Sequence, residues 1–334
     1  MEKFSVLAIA NRIPDEASAY RFLEELRWGK DADPTCPHCS SVGAYFLNPN
    51  NGTSRKTRTG SASQRRVWKC KACRKQFSVL TGTIFHGTKV AVRTWIFVIF
   101  EMCASKNGVA AREIERKYDL TPKTAWFMLH RIREAMKREP LVGMLEGTVV
   151  ADETFIGGKP GNKHRQGQRR KPIGAGSQSG PAYDKTAVLS LVDTESGEVR
   201  SQVVADVSGP TLRKAITEQV NTAATTLHTD EAPAYKTFSA EAKGHESVNH
   251  GRHEYVRYTD AGIVSTNVAE GYFSQLKRSI DGTHHHVSRK HLPRYLAEFD
   301  FRYSTHEISD TQRMRTLVDR VGGRRLTYRP VLDG

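Results

Sequence analysis

Val149-Val-Ala-Asp152-Glu-Thr-Phe-Ile156 is an apolar run broken by two consecutive acids. Val149-Val150-Ala151 reads as a strand, and an aspartate placed in such a run is costly to bury unless it is paired or bound to metal. A second run, Thr225-Thr-Leu-His-Thr-Asp230-Glu-Ala232, ends in the same way. Glu270 stands in Asn267-Val-Ala-Glu270-Gly-Tyr-Phe-Ser-Gln-Leu-Lys277-Arg278, a stretch with helical character. Two carboxylates at strand ends and one on a helix are the donor set that a two-metal phosphoryl-transfer site requires. Glu153 and Glu231 adjoin the two aspartates but project differently from a strand, so they read as supporting residues.

The segments between these acids set the fold class. Residues 186–193 and 198–206 alternate in polarity and are joined by Glu195-Ser-Gly197, a hairpin signal. Residues 212–220 read as a helix opened by Ser208-Gly-Pro210, and 225–229 as a strand. Long helices are predicted over 264–280 and 288–303. Three strands as a meander, a helix, a strand and then helices make a mixed α/β layer, not a doubly wound parallel sheet.

Upstream, Cys36-Pro-His-Cys39 and Cys70-Lys-Ala-Cys73 form two Cys-x-x-Cys pairs separated by a polar stretch at 48–66. Thiolates two residues apart can turn onto one ion, and two such turns complete a tetrahedral structural zinc site. Trp68 and Phe77 suit a small β-ribbon around it. Such a ribbon has almost no core, so the metal would hold it folded. His38 lies inside the first pair but four thiolates already satisfy the site, and Cys103 on an apolar helix reads as a core thiol. This cysteine usage fits a reducing cytoplasm better than disulfides.

Tyr20, Leu23, Leu26 and Trp28 give helical spacing over 16–28, and residues 81–138 read as helical. Trp95, Ile96, Val98, Ile99, Phe100 and Met102 mark one buried helix, and Val109, Ala110, Ile114 and Tyr118 a short second one. Thr121-Pro122 opens a third with a capping hydroxyl and a proline at the first helical position. The short helix, the turn at Asp119-Leu120 and the longer helix resemble a helix-turn-helix. Arg112, Arg116, Lys117, Lys123, His130, Arg131, Arg133 and Lys137 would supply its phosphate-contacting charge. A further basic segment holds Lys159, Lys163, His164, Arg165, Arg169, Arg170 and Lys171.

The chain has 334 residues, with 51 Lys and Arg against 36 Asp and Glu, a formal net charge of +15 that argues for a polyanionic partner. Hydrophobic residues make up 38%, which excludes a disordered chain. No apolar run approaches the roughly 20 residues that span a bilayer, and the apolar start at 4–10 is followed at once by charge, so it reads as a helix or strand rather than a leader.

Taken together, these motifs resemble those of bacterial insertion-sequence transposases of the DDE class, specifically the ISXO-like group with an N-terminal zinc ribbon. The resemblance rests on Cys-Pro-His-Cys at 36–39, Cys-Lys-Ala-Cys-Arg-Lys-Gln-Phe-Ser-Val at 70–79 and Thr-Gly-Thr-Ile-Phe-His at 81–86. It continues through Ala-Asp-Glu-Thr-Phe-Ile-Gly-Gly-Lys at 151–159, Thr-Asp-Glu-Ala-Pro-Ala-Tyr at 229–235, and the stretch from Asn267 to Tyr303. It implies an α/β multidomain chain: a helix and zinc ribbon (1–80), a helix-turn-helix-like DNA-binding region (81–143), an RNase H-like mixed-sheet catalytic domain (144–306), and a C-terminal helix and tail (307–334). It implies Asp152, Asp230 and Glu270 as ligands of Mg²⁺ or Mn²⁺, Lys277 two turns from Glu270 as a phosphate contact, and Zn²⁺ on Cys36, Cys39, Cys70 and Cys73. Some relatives place asparagine or histidine at the third metal position, so Asn267, one turn before Glu270, is the alternative ligand. An anionic ligand neutralises Mg²⁺ better than an amide, which favours Glu270. The implied partners are double-stranded DNA, both element ends and target, and further copies of the chain, in the cytoplasm. A non-catalytic DNA-binding regulator and a nuclease without joining activity are the competing readings. His284, His285 and His286 read as phosphate contacts or turn surface, and Glu298 with Arg302 as an intrahelical ion pair.

Overall fold

The computed structural model describes residues 3–30, 34–47, 63–138, 143–157, 185–240, 242–252, 254, 256–259 and 262–327. The basic segment 159–171 lies outside them. The chain divides into two compact units, Met1–Lys137 with Glu307–Gly334, and Arg138–His306. No helix among the described residues is long and apolar enough to cross a membrane.

In the first unit, α1 (Val6–Arg12) is capped by Ser5, and α2 (Glu16–Trp28) opens on a reciprocal capping box between Asp15 and Ser18. Strands β1 (Ala44–Phe46), β2 (Trp68–Cys70) and β3 (Gln76–Phe77) form an antiparallel ribbon in which Trp68 pairs directly with Phe77. Helices α3 (Val92–Ala104), α4 (Ala111–Tyr118) and α5 (Pro122–Met136) follow. Asp119 ends α4 in the left-handed region (φ 49°), a conformation its short polar side chain tolerates, and the Thr121 side chain caps α5. The closing helix Asp310–Asp319 packs against α2 and α3. It is pinned by a hydrogen bond from Arg313 to the Cys103 carbonyl (2.6 Å) and by one from the Phe4 amide to the Thr311 hydroxyl (2.6 Å).

Three of the residues expected to carry phosphate-contacting charge are buried. His130, Arg131 and Arg133 are 0%, 6% and 1% exposed, so they face the core and not a DNA backbone. Arg131 donates to the His86 carbonyl (2.6 Å) and lies over the Trp95 ring, and burial lowers its pKa to about 10. Lys117 is drawn to Glu101 and Glu113, and Arg112 to Glu115. Arg116 and Lys123 remain exposed on the helix-turn-helix.

The second unit is built on β4 (Leu145–Ile156), β5 (Thr186–Asp193), β6 (Val199–Val203), α6 (Gly209–Thr217), β7 (Val220–Asp230) and β8 (Gly244–Val248). A hairpin of β9 (Val256–Thr259) and β10 (Gly262–Ser265) leads into α7 (Asn267–Ser279) and then α8 (Leu292–Ser304). The five-stranded sheet has the order β6-β5-β4-β7-β8; the first three strands form an antiparallel meander, while β7 and β8 are parallel to β4. This mixed order is the RNase H-like arrangement. Helices α7 and α8 cover one face through Tyr272, Phe273, Leu276, Leu296 and Phe299 against Val150, Val188 and Val192. Helix α6 and the 3₁₀ segment Pro233–Ala240 cover the other, where Leu212, Ile216, Tyr235 and Phe238 meet Ala151, Leu189 and Leu191. Burial on both faces explains why the inner residues of β5 are all apolar or small.

The helix expected over 264–280 begins at Asn267, because Val264 belongs to β10. The helix expected from 288 begins at Leu292. Within α8, Arg302 and Glu298 form a buried ion pair (2.8 Å, 5% and 0% exposed). Arg302→Ala would strand the Glu298 charge in the core, and a loss of about 3–5 kcal/mol in denaturant-measured stability is expected.

Candidate active site and zinc centre

The two Cys-x-x-Cys turns are built alike. Ser40 and Arg74, the residue after each pair, both adopt left-handed backbone (φ 57° and 60°). Amides of His38 and Cys73 each point at the first sulfur of their own turn, at 3.4 Å. The Sγ atoms of Cys36 and Cys73, and of Cys39 and Cys70, lie 3.7 Å apart, and all four fall within 4.8 Å of one another. Four sulfurs about 2.3 Å from a central ion stand about 3.8 Å apart at the corners of a tetrahedron. The residues therefore fit zinc. Ala44, Phe77, Trp28 and Trp68 are the only apolar packing gathered around them among the described residues.

Asp152 and Asp230 are brought together by register. In the parallel pairing of β4 and β7, Val149 is level with Leu227 and Val150 with His228. Two residues further, Asp152 and Asp230 fall at one level, and side chains level on parallel neighbours share a face. That face carries Val150 and is covered by α7 and α8. The expectation that both acids end strands holds for Asp230 only: β4 continues four residues past Asp152, paired with β5 alone. One oxygen of each carboxylate is oriented by a following amide, Glu153 on Asp152 (2.7 Å) and Ala232 on Asp230 (2.9 Å).

Glu153 projects to the opposite face, towards Tyr235. Burial pushes its carboxyl up to about 7, against the pull of the Tyr235 hydroxyl, and the charges on Asp230 and Asp152 add to the rise. Repulsion within this acidic group is what a bound divalent cation would relieve, so the donor set suits one. Glu270 is exposed in the first turn of α7, with Asn267 exposed one turn before it and Lys277 exposed two turns after. Among the described residues the four thiolates are gathered within 4.8 Å, and no trio of carboxylates is drawn in as tightly.

A hydrogen-bonded chain that sequence reasoning missed ties α7 to the sheet. Ser190, the cross-strand partner of Asp152, meets Ser201 (2.8 Å), which donates to the Tyr272 hydroxyl (2.9 Å). Tyr272 donates to Asp300 (2.6 Å), whose other oxygen accepts the Ser201 amide (2.9 Å). Tyr272 is two residues from Glu270, so the network fixes how the helix of the third acid sits over the strand next to the first. The visible signal was Asp300, an acid between Phe299 and Phe301 in an otherwise apolar helix face. Burial raises its carboxyl to about 6, only partly offset by Tyr272 and Ser201.

This raised value sets a pH dependence. Between about pH 4 and 6 the folded chain keeps a proton on Asp300 that the unfolded chain has released, so stability falls as pH rises through that window. Asp300→Asn lacks this penalty. Its stability relative to wild type is expected to improve by roughly 3 kcal/mol between pH 4 and 7 in urea titrations; a difference independent of pH would show that Asp300 is not buried as described.

Two family models match the chain. Residues 144–304 match the ISXO2-like transposase domain, and residues 14–76 match the transposase zinc-ribbon domain. Both are transposase domains, and between them the two matches cover most of the chain. A protein of the transposable element ISH50 from Halobacterium salinarum, itself uncharacterized, is 25% identical over 306 residues, spanning 91% of this chain and 96% of that one. Among solved structures, the catalytic core domain of BIV integrase overlaps 45% of this chain and 80% of its own at 16% identity and a TM-score of 0.28. The simian T-cell lymphotropic virus intasome overlaps 56% and 63% at 16% identity and a TM-score of 0.25. Overlaps this loose add nothing to the strand order.

Proposed function

We propose that this chain is a DNA transposase that cuts the ends of an insertion sequence and joins them to target DNA at one metal-dependent site. The observation that carries the reading is the level placement of Asp152 and Asp230 on adjacent parallel strands, beneath the helix that bears Glu270. Asp152, Asp230 and Glu270 hold the catalytic metal, with Asn267 as the alternative to Glu270. Two Mg²⁺ or Mn²⁺ ions bound there would supply the charge that activates a water or a 3′-hydroxyl and stabilises the leaving oxygen. Lys277 contacts a phosphate near the scissile bond. The Tyr272–Asp300 network keeps α7 in register so that Glu270 faces the two aspartates. The zinc ribbon and the exposed Arg116 and Lys123 of the helix-turn-helix recognise the terminal inverted repeats. Two ends must be held at once, so the active form is a dimer or larger assembly on DNA in the cytoplasm.

The test is a strand-transfer assay with labelled duplexes taken from the DNA flanking the gene, with and without Mg²⁺. Metal-dependent cleavage followed by joining is expected. Cleavage without joining would mark a nuclease, and tight binding with neither would mark a DNA-binding regulator.

A further inference from the structure

A cavity of about 250 Å³ opens past the end of β4, with Ile156 and Val287 in its wall and Lys185, Lys277, His285 and His286 on its rim. Asp281 is the acid in this lining, against two ammonium groups and two imidazoles. Two uncommon backbone features frame it. Helix α7 runs straight into a π-helical turn, Ile280–His284, of the kind that recurs at functional sites. His285 then sits at φ 57° and ψ −40°, and the His286 amide donates to the His284 carbonyl at 2.6 Å. That is the strained form of the γ-turn, held here by a residue other than glycine. Such strain persists where the surroundings impose it, and it clusters at ligand clamps. Nδ1 of His285 lies 3.1 Å from the Asp281 carbonyl, a contact that orients the ring.

We infer that this cavity is a clamp for one backbone phosphate of the DNA substrate and the sugar attached to it, at a fixed distance from the phosphate that reacts. The inference rests on the transposase reading above and deepens it. Ile156 lies four residues beyond Asp152 on the same strand face, roughly 13 Å away at the rise of a strand. Lys277 lies seven residues beyond Glu270, roughly 10 Å along a helix. Ile156 and Lys277 meet in the lining of one cavity, so the strand route from Asp152 and the helix route from Glu270 end at the same place. That spacing suits a phosphate one to three positions from the scissile one. The fork of two lysines supplies charge, and the exposed His286 imidazole can add a directed donor.

The test is a methylphosphonate scan: duplexes carrying the flanking end, each with one uncharged linkage within four positions of the cleavage point, bound to the full zinc-loaded chain without Mg²⁺ or Mn²⁺. One linkage in that window is expected to weaken wild-type binding about tenfold. The same linkage should cost markedly less in Lys185→Gln and in His286→Gln, and in Lys185→Gln the salt slope of binding should fall by about one. Equal penalties in wild type and variants at every linkage, or no sensitive linkage, would overturn the clamp. Because the binding scan needs no Mg²⁺ or Mn²⁺, a protein that binds this way but fails to join strands when Mg²⁺ is added would overturn the transposase reading and leave the clamp standing.

Discussion

Asp152→Asn is expected to lower the rate of strand cleavage and joining about a thousandfold or more while leaving the protein at least as stable as wild type. The two effects have one cause. The asparagine oxygen can still accept the Glu153 amide that orients Asp152 in the strand, so the backbone loses little. What disappears is the negative charge, and with it, on the proposed mechanism, a ligand that would hold metal against the reacting phosphate, a contribution worth several kcal/mol of transition-state stabilisation. The same charge is one of those that push Glu153 up to about 7. Removing it relieves repulsion in the metal-free protein, and a gain of up to about 1 kcal/mol follows. Single-turnover cleavage across a Mg²⁺ titration, beside a thermal melt without metal, checks both halves. Joining that survives the substitution would sink the catalytic assignment, and a fall of many degrees in melting temperature would recast Asp152 as a structural residue.

Zinc removal should have an equally large effect on a different part of the molecule. Around the four thiolates there is little but Ala44, Phe77, Trp28 and Trp68, too small a core to fold on its own. Structural zinc in comparable modules contributes about 10–16 kcal/mol of apparent binding energy. Chelation, or Cys70→Ser at a fully buried ligand, is expected to abolish end binding and to erase the near-ultraviolet signal of Trp28 and Trp68. The loss should reach the end of α2, because Glu24 on that helix accepts from both the Trp68 indole (2.8 Å) and Arg66 (2.6 Å). Secondary structure in Arg138–His306 should persist. A chelated protein that keeps its tryptophan signal and one bound zinc fewer would show that the ribbon folds without metal.

Much of this was legible in the chain because the strongest signals are local. Residues 186–193 form β5 as expected, although burial on both faces makes their interior continuously apolar or small and not alternating, and Thr121-Pro122 starts α5 where a cap and an N-terminal proline should. What stayed hidden depended on partners far away in sequence. Gly244-His-Glu-Ser-Val248 carries no apolar pattern, since β8 is an edge strand of mostly half-buried residues, and only its pairing with β7 makes it a strand. His130, Arg131 and Arg133 looked like an exposed basic face; polar residues at helical spacing give no hint that a loop carbonyl and a tryptophan ring wait to receive one of them. In the site, the acids themselves announced their chemistry by sitting in apolar runs. Their level placement came from a strand register that no local window contains, and the Ser190–Ser201–Tyr272–Asp300 chain spans four separate elements.

The closing helix gives the order of synthesis a meaning. Its hydrogen bonds reach back to Phe4 and Cys103, and the Thr83–Gly322 bridge closes just beyond it, so the first unit is assembled from segments on either side of the second, which is inserted between them. On the ribosome, the helices made first must wait for more than half the chain before their last partner emerges. A product cut short anywhere within the second unit would lack that partner. On the proposed function, prematurely terminated chains would thus be poor occupants of an element's ends, and the longer protein would face little competition from its own fragments.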